Sequence, residues 1–331
     1  GFNVNLGTAY VYDNFNRLRY VVPPQASSPN NTELCYSYTY DKKGRVTLKT
    51  IPSHGSERYV YDKRDRIVMS QDDNQYNRNE WSFMMYDAHD RIVLNGYVNS
   101  TQTAIYLQQI FNNQNIINEQ FSNNGTLYGY QGNSFPNSLN IAKTNVMLVN
   151  WYDTYDFLNR LESDYLYSSN STLEKPLNTD LRVKGLLTGY LDKALLPNGD
   201  IEMVHVNYYD SHERIVYSVN DNHLGGKTFF FFNYTFSGEL EKESVSHSTR
   251  FNATINLSSR YEYDHCGRIV KEYFKCDKFA EFVARAYEYD AVGNLANTYL
   301  HSIDNGKTFQ QKLKNHYNIR GWLTNVNDFH N

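Results

Sequence analysis

The sequence predicts an all-β protein built from repeated β-hairpins, and three observations lead to that reading. A seven-residue pattern, Tyr-Asp-x-x-(Gly/Asn/Asp)-Arg-aliphatic, recurs along the chain. Tyrosines alternate with other residues before the pattern, as in Tyr36, Tyr38 and Tyr40 or Tyr261 and Tyr263, which is the period of a strand with rings on one face. Of 331 residues, 30 are Tyr and 18 are Phe against only 3 Trp, and such ring-rich apolar surface suits strands better than helices.

The clear copies are Tyr12-Asp13, Tyr40-Asp41 with Gly44 and Arg45, Tyr61-Asp62 with Arg66, Tyr86-Asp87 with Arg91, Tyr155-Asp156 with Arg160, Tyr209-Asp210 with Arg214, Tyr263-Asp264 with Gly267 and Arg268, and Tyr289-Asp290 with Gly293. Weaker copies start at Phe121, Tyr234 and Tyr317. The Asp can accept a hydrogen bond from the backbone two residues on and so start a tight turn. The fifth position needs a positive φ: Gly44, Gly125, Gly238, Gly267, Gly293 and Gly321 supply it, and Asn16, Asp65, Asp90 and Asn159 are the best substitutes, leaving Glu213 as the misfit. Arg and an aliphatic residue begin the returning strand, so each unit is a short-looped hairpin.

A lone hairpin is unstable, but a file of them can share one sheet. Residues 1–331 therefore read as a single continuous antiparallel strip that curls on itself, with no domain boundary and no helical block. Residues 99 to 150 and 162 to 205, which include Pro136, Pro176 and Pro197, read as longer loops or irregular strands, and the Asn-rich run from Phe111 to Phe121 as a solvated strand and loop. The chain opens at Gly1 without Met and is expected to be a fragment of something longer.

The net charge is −4, with Lys and Arg scattered, which argues against a nucleic-acid partner held by phosphate neutralisation. The longest apolar runs, such as Thr228 to Phe232, fall far short of a membrane span, so no direct membrane insertion is expected. The cysteines Cys35, Cys266 and Cys276 are too few for a disulfide framework, although Cys266 and Cys276 could bridge neighbouring strands.

No catalytic, cofactor-binding or metal-binding residue is expected. The repeated aspartates could be read as acid/base pairs, but they occupy one turn position in every unit, which favours a structural role. Asp264, His265, Cys266 and Cys276 form the one metal-like grouping; the cysteine spacing fits no common zinc pattern, and His265 lies in a turn, as do His89 and His212. Leu224 to Phe229 is similar to the end of a phosphate-binding loop, but Asp221 stands where its first glycine is required.

The repeat resembles the YD repeat of Rhs proteins, a family shared with the shells of tripartite insecticidal toxin complexes and, more distantly, with teneurins. The strings from Tyr59 to Val68, Trp81 to Gly96, Gly129 to Pro136, Trp151 to Leu158, Lys184 to Gly189, Arg260 to Lys271 and Tyr317 to Thr324 are similar, in that order, to Rhs proteins typical of Bacteroidota. The resemblance implies a strip of hairpins spiralling into a hollow shell that encloses or presents a C-terminal effector, as in polymorphic toxins. It also implies secretion or display at the surface of a Gram-negative cell, with the rest of the polypeptide and an outer-membrane export machinery as partners. The family's terminal cleavage signature, of Asp-Pro-x-Gly type, is missing, so no catalytic residue is carried over. The alternative is a surface adhesion or carbohydrate-binding protein whose tyrosines stack on sugars; packing is favoured because the rings keep their phase to the turn.

Overall fold

The computed structural model describes residues 7–24, 26, 32–167, 183–196, 199–251 and 253–327. It is all-β, with twenty antiparallel strands among these residues. The chain divides into two compact units, residues 1–151 with 190–193, and residues 152–189 with 194–331.

In the first unit consecutive strands pair: β1 (Ala9–Tyr12), β2 (Leu18–Val22), β3 (Tyr36–Tyr40), β4 (Val46–Ile51), β5 (Gly55–Tyr61), β6 (Ile67–Gln71), β7 (Glu80–Tyr86), β8 (Ile92–Asn99) and β9 (Val146–Tyr152). The second unit repeats the plan: after β10 (Leu187–Ala194), strands β11 (Ile201–Tyr209), β12 (Ile215–Asp221), β13 (Lys227–Tyr234), β14 (Leu240–Ser248), β15 (Thr254–Tyr263), β16 (Ile269–Cys276), β17 (Phe282–Tyr289), β18 (Leu295–Ser302), β19 (Gln311–Tyr317) and β20 (Leu323–Val326) pair in sequence. Each hairpin thus has one rim at the repeat turns and an opposite rim at the connections between repeats.

The expectation of no helix is corrected. α1 (Asp73–Arg78) is closed by a capping box between Asp72 and Gln75, and α2 (Ala104–Asn113) starts where the Thr103 hydroxyl accepts the Tyr106 N–H. Leu107 and Phe111, one helical turn apart, are buried. Gln108 of α2 both accepts from the Tyr61 N–H and donates to the Tyr61 carbonyl, so its amide pairs with the end of β5 beyond the last β4 partner, Leu48 opposite Arg58. The Asn-rich run is not wholly solvated either, since Phe111 and Glu119 are buried.

Cores form where the two insertions lie. In the first unit Phe111 and Phe135 pack edge-on, and Phe135 meets Phe83 of β7. In the second, Tyr155 stacks on Tyr208 at 4.9 Å, while Tyr167 contacts both Tyr208 and Tyr217. Residues 168–182, with Pro176, and 197–198, with Pro197, lie outside the described residues. From β13 to β20 the only buried strand residues are Tyr273, Val283, Ala286 and Ser302, so the other strand rings there lie half-exposed.

Candidate functional site

The repeated turn is the feature to be tested for chemistry. Asp62 shows its plan: its N–H donates to the Arg66 carbonyl and its own carbonyl accepts the Asp65 N–H. This is a type I turn followed by a residue at positive φ, which puts a bulge in the register; Asp65 has φ 63°, and the register shifts between Val60 and Tyr61. Glu213, the misfit in sequence, takes φ 63° as well.

The Asp carboxylate is fully used within its turn. One oxygen of Asp62 accepts the N–H groups of Arg64 and Arg66, and the other accepts Nε and Nη2 of Arg66. The same fork joins Asp13 to Arg17, Asp41 to Arg45, Asp87 to Arg91, Asp210 to Arg214 and Asp264 to Arg268. Asn294 replaces the arginine opposite Asp290, and Thr235 with Glu239 replaces the pair entirely. The Arg268 backbone N–H, then its guanidinium, hold the Asp264 carboxyl down to about 2. A carboxylate so held is a poor base or acid at neutral pH.

Most of these arginines then reach the next turn. Arg45 lies 4.5 Å from the centre of the Tyr61 ring, Arg66 4.6 Å from Tyr86, Arg214 4.5 Å from Tyr234 and Arg268 4.3 Å from Tyr289. Nη1 of Arg17, Arg45 and Arg66 donates to the carbonyl of Asp41, Asp62 and Asp87 respectively. The tyrosine returns the link, its hydroxyl donating to the aliphatic carbonyl of the preceding unit: Tyr40 to Leu18, Tyr61 to Val46, Tyr86 to Ile67, Tyr209 to Leu187, Tyr234 to Ile215, Tyr263 to Leu240, Tyr289 to Ile269 and Tyr317 to Leu295. At Ile92 the donor is the Asn150 side-chain amide instead. The motif residues are therefore rungs of a ladder, each hairpin being tied to the one before it.

Two repeat assignments are corrected. Tyr155, Asp156 and Arg160 form no hairpin: Asp156–Arg160 is a 3₁₀ turn with Phe157 buried, and Asn159 is not at positive φ. The rung at this place is made three residues earlier. The Asp153 N–H donates to the Leu186 carbonyl, its carboxylate accepts the Gly185 N–H, Gly185 has φ 88°, and the Leu187 carbonyl receives Tyr209. One turn is thus split, with residues 154–184 inserted between its halves. The copy at Phe121 makes no paired strands, only a bridge between Leu127 and Tyr130, and Gly125 is not at positive φ.

Sequence reading also missed a turn on the opposite rim. Asn222 plays the Asp part there, accepting the N–H groups of Leu224 and Gly226, so the resemblance of this stretch to a phosphate loop is a hairpin turn. None of the three cysteines is in a disulfide. Cys266 lies in a turn and Cys276 at the far end of β16, so they do not bridge, and the grouping with Asp264 and His265 does not converge.

A cleft of about 670 Å³ in the second unit is lined by Tyr165, Asp221, Lys227, Arg250 and neighbours. Asp221 accepts from the Tyr165 hydroxyl at 2.6 Å, the Val204 N–H at 2.8 Å and Lys227 at 3.0 Å, and the Lys227 ammonium sits 3.8 Å over the Tyr165 ring. Burial, then the bond to Asp221, pushes the Tyr165 hydroxyl up. Donors and acceptor satisfy one another, fastening the insertion to β12 and β13.

No protein-family model matches the chain, and no curated protein matches it in sequence. Solved structures do. The crystal structure of TcdB2-TccC3-Cdc42 is similar over 96% of this chain at 10% identity with a TM-score of 0.37. That of TcdB2-TccC3 is similar over 94% at 11% identity with a TM-score of 0.36. The chain spans 15% of the length of each. Among the described residues no helix is long and apolar enough to cross a membrane.

Proposed function

We propose that this chain is a non-catalytic wall segment of a secreted or cell-surface YD-repeat protein of the Rhs type, one that curls with the rest of its polypeptide into a shell around a C-terminal effector. The carrying observation is the ladder: the carboxylates of the Asp-Arg turns are consumed by their own turns, and the tyrosine hydroxyls are spent on the preceding hairpins. Residues placed for construction are not available for turnover. The half-exposed, mixed faces from β13 to β20 suit a wall with solvent on both sides better than a packed core. The adhesion reading expects exposed rings on a sheet face, whereas the four most exposed aromatic side chains, Phe15, Phe236, Phe251 and Phe279, stand at turn tips.

The test is intact mass and terminal peptide mapping of the native protein from its source. A parent several times longer than 331 residues, co-purifying with a separate C-terminal fragment, is the expected result. A mature chain of about this length with no associated fragment would overturn the reading.

A further inference from the structure

Turn tips are usually polar, yet in the second unit both rims carry large apolar side chains in the open. On the repeat-turn rim Phe236 and Ile319 are fully exposed and Val292 is 87% exposed, with exposed Cys266 between Phe236 and Val292 in chain order. On the opposite rim Phe251 is 88%, Ile303 82% and Phe279 74% exposed, with Leu224 less so. Among the described turn tips of the first unit only Phe15 is comparable, at 79% exposed, whereas the corresponding tips Lys43 and Arg64 form ion pairs with Asp65 and Asp90 of the next turn.

From these rows we propose that the two rims of the second unit are complementary surfaces through which a second copy of this chain stacks rim to rim. Two quantities support that occupant. Successive tips on either rim are two strands apart, about 9.6 Å, so the rims share a pitch. Because the rims alternate along one meander, the tips of one rim fall midway between those of the other. A copy displaced along the strand direction therefore places its tips between those it meets. Aromatic and aliphatic tips of this size present on the order of 150 Å² each, roughly 500 Å² per rim before flanking residues are added, a large part of the ~800 Å² per partner of a standard interface. Each copy offers one rim of each kind, so the contact is heterologous and the assembly open-ended. The inference goes beyond the wall-segment reading and does not depend on an effector.

Sedimentation velocity on the 331-residue chain tests it, with two triple variants: Phe236→Asp/Val292→Asp/Ile319→Asp on one rim and Phe251→Asp/Phe279→Asp/Ile303→Asp on the other. The wild-type chain is expected to grow past dimer as concentration rises. Each variant alone should associate at least tenfold more weakly, and an equimolar mixture of the two should stop at a dimer, because each retains the rim the other lacks. That mixture also reports that both variants fold. A wild-type chain monomeric throughout, variants that associate as well as wild type, or a mixture that fails to dimerise where wild type associates would each overturn the proposal. So would vesicle binding lost in both variants without self-association, which would assign the rims to a lipid surface.

Discussion

Arg66 lies 4.6 Å from the centre of the Tyr86 ring while its Nε and Nη2 are held by Asp62 of its own turn, so one guanidinium joins two hairpins. The side chains of Arg66 and Asp62 are 9% and 3% exposed. Lysine cannot keep both the fork and the stacked plane, and Arg66→Lys is expected to cost about 2–3 kcal/mol, below the loss for breaking a buried pair outright. Urea unfolding measures it. Arg268→Lys, at a pair exposed by 33% and 16%, should cost distinctly less.

The hydroxyl rungs can be tested one at a time. Tyr86→Phe keeps the ring under Arg66 and removes the hydroxyl that donates to the Ile67 carbonyl at 2.7 Å and touches the Met84 sulfur at 3.8 Å. A loss of about 1 kcal/mol is expected. Equal stability for the two proteins would mean that the rung contributes nothing and the ring alone ties the hairpins.

Turn conformation gives predictions of opposite sign. Glu213 holds φ 63° with a side chain that disfavours it, so Glu213→Gly should stabilise by about 0.5 kcal/mol after the entropy of the unfolded glycine is counted. Gly44 has φ 85° and open space around it, so Gly44→Ala should cost about 1 kcal/mol from the backbone alone. Gly226→Ala should cost more, because its Cβ would meet the Ser248 carbonyl at 2.1 Å. Thermal unfolding of the three variants orders them.

Acid should loosen the ladder in a defined window. The Asp264 carboxyl is held at about 2 in the folded chain, below the value near 3.9 of an unfolded aspartate. A depressed folded value means stability that is present above the unfolded value and lost as pH falls through the folded one. The melting-temperature gap between wild type and Asp264→Asn should therefore be constant above about pH 5 and shrink steadily from pH 4 to pH 2. A gap unchanged at pH 2 would show that the charge of Asp264 does not support the turn.

Most of the hairpins were legible because their determinants are local. An Asp that accepts two N–H groups and a residue tolerant of positive φ lie within four residues, as in Asp41 to Gly44, and no distant partner is needed. The roles of Tyr and Arg beyond their own turn were not legible, since Tyr263 to Leu240 and Arg45 to Tyr61 depend on how neighbouring hairpins are spaced. At Tyr155 the local pattern was overruled by burial: Phe157 and Leu158 fill the two tip positions, and Phe157 is buried beside Tyr155 in a ring cluster. The true turn could not be seen as a motif because its second half, Gly185 to Leu187, is remote in sequence. α2 had a visible signal, Leu107 and Phe111 after a Thr cap, which the surrounding strands obscured.

The split turn has a consequence for how such a chain can change. Asp153 and Gly185 meet as if contiguous although 31 residues, 154–184, run between them, and the entropy of closing a loop rises only slowly with its length. Material of another length or character could leave and re-enter at that point without shifting the register of any later hairpin. The turn is a docking port in the chain itself, where new sequence can be tried with the strand register kept on either side, provided that it still brings rings to cover Tyr208 and Tyr217.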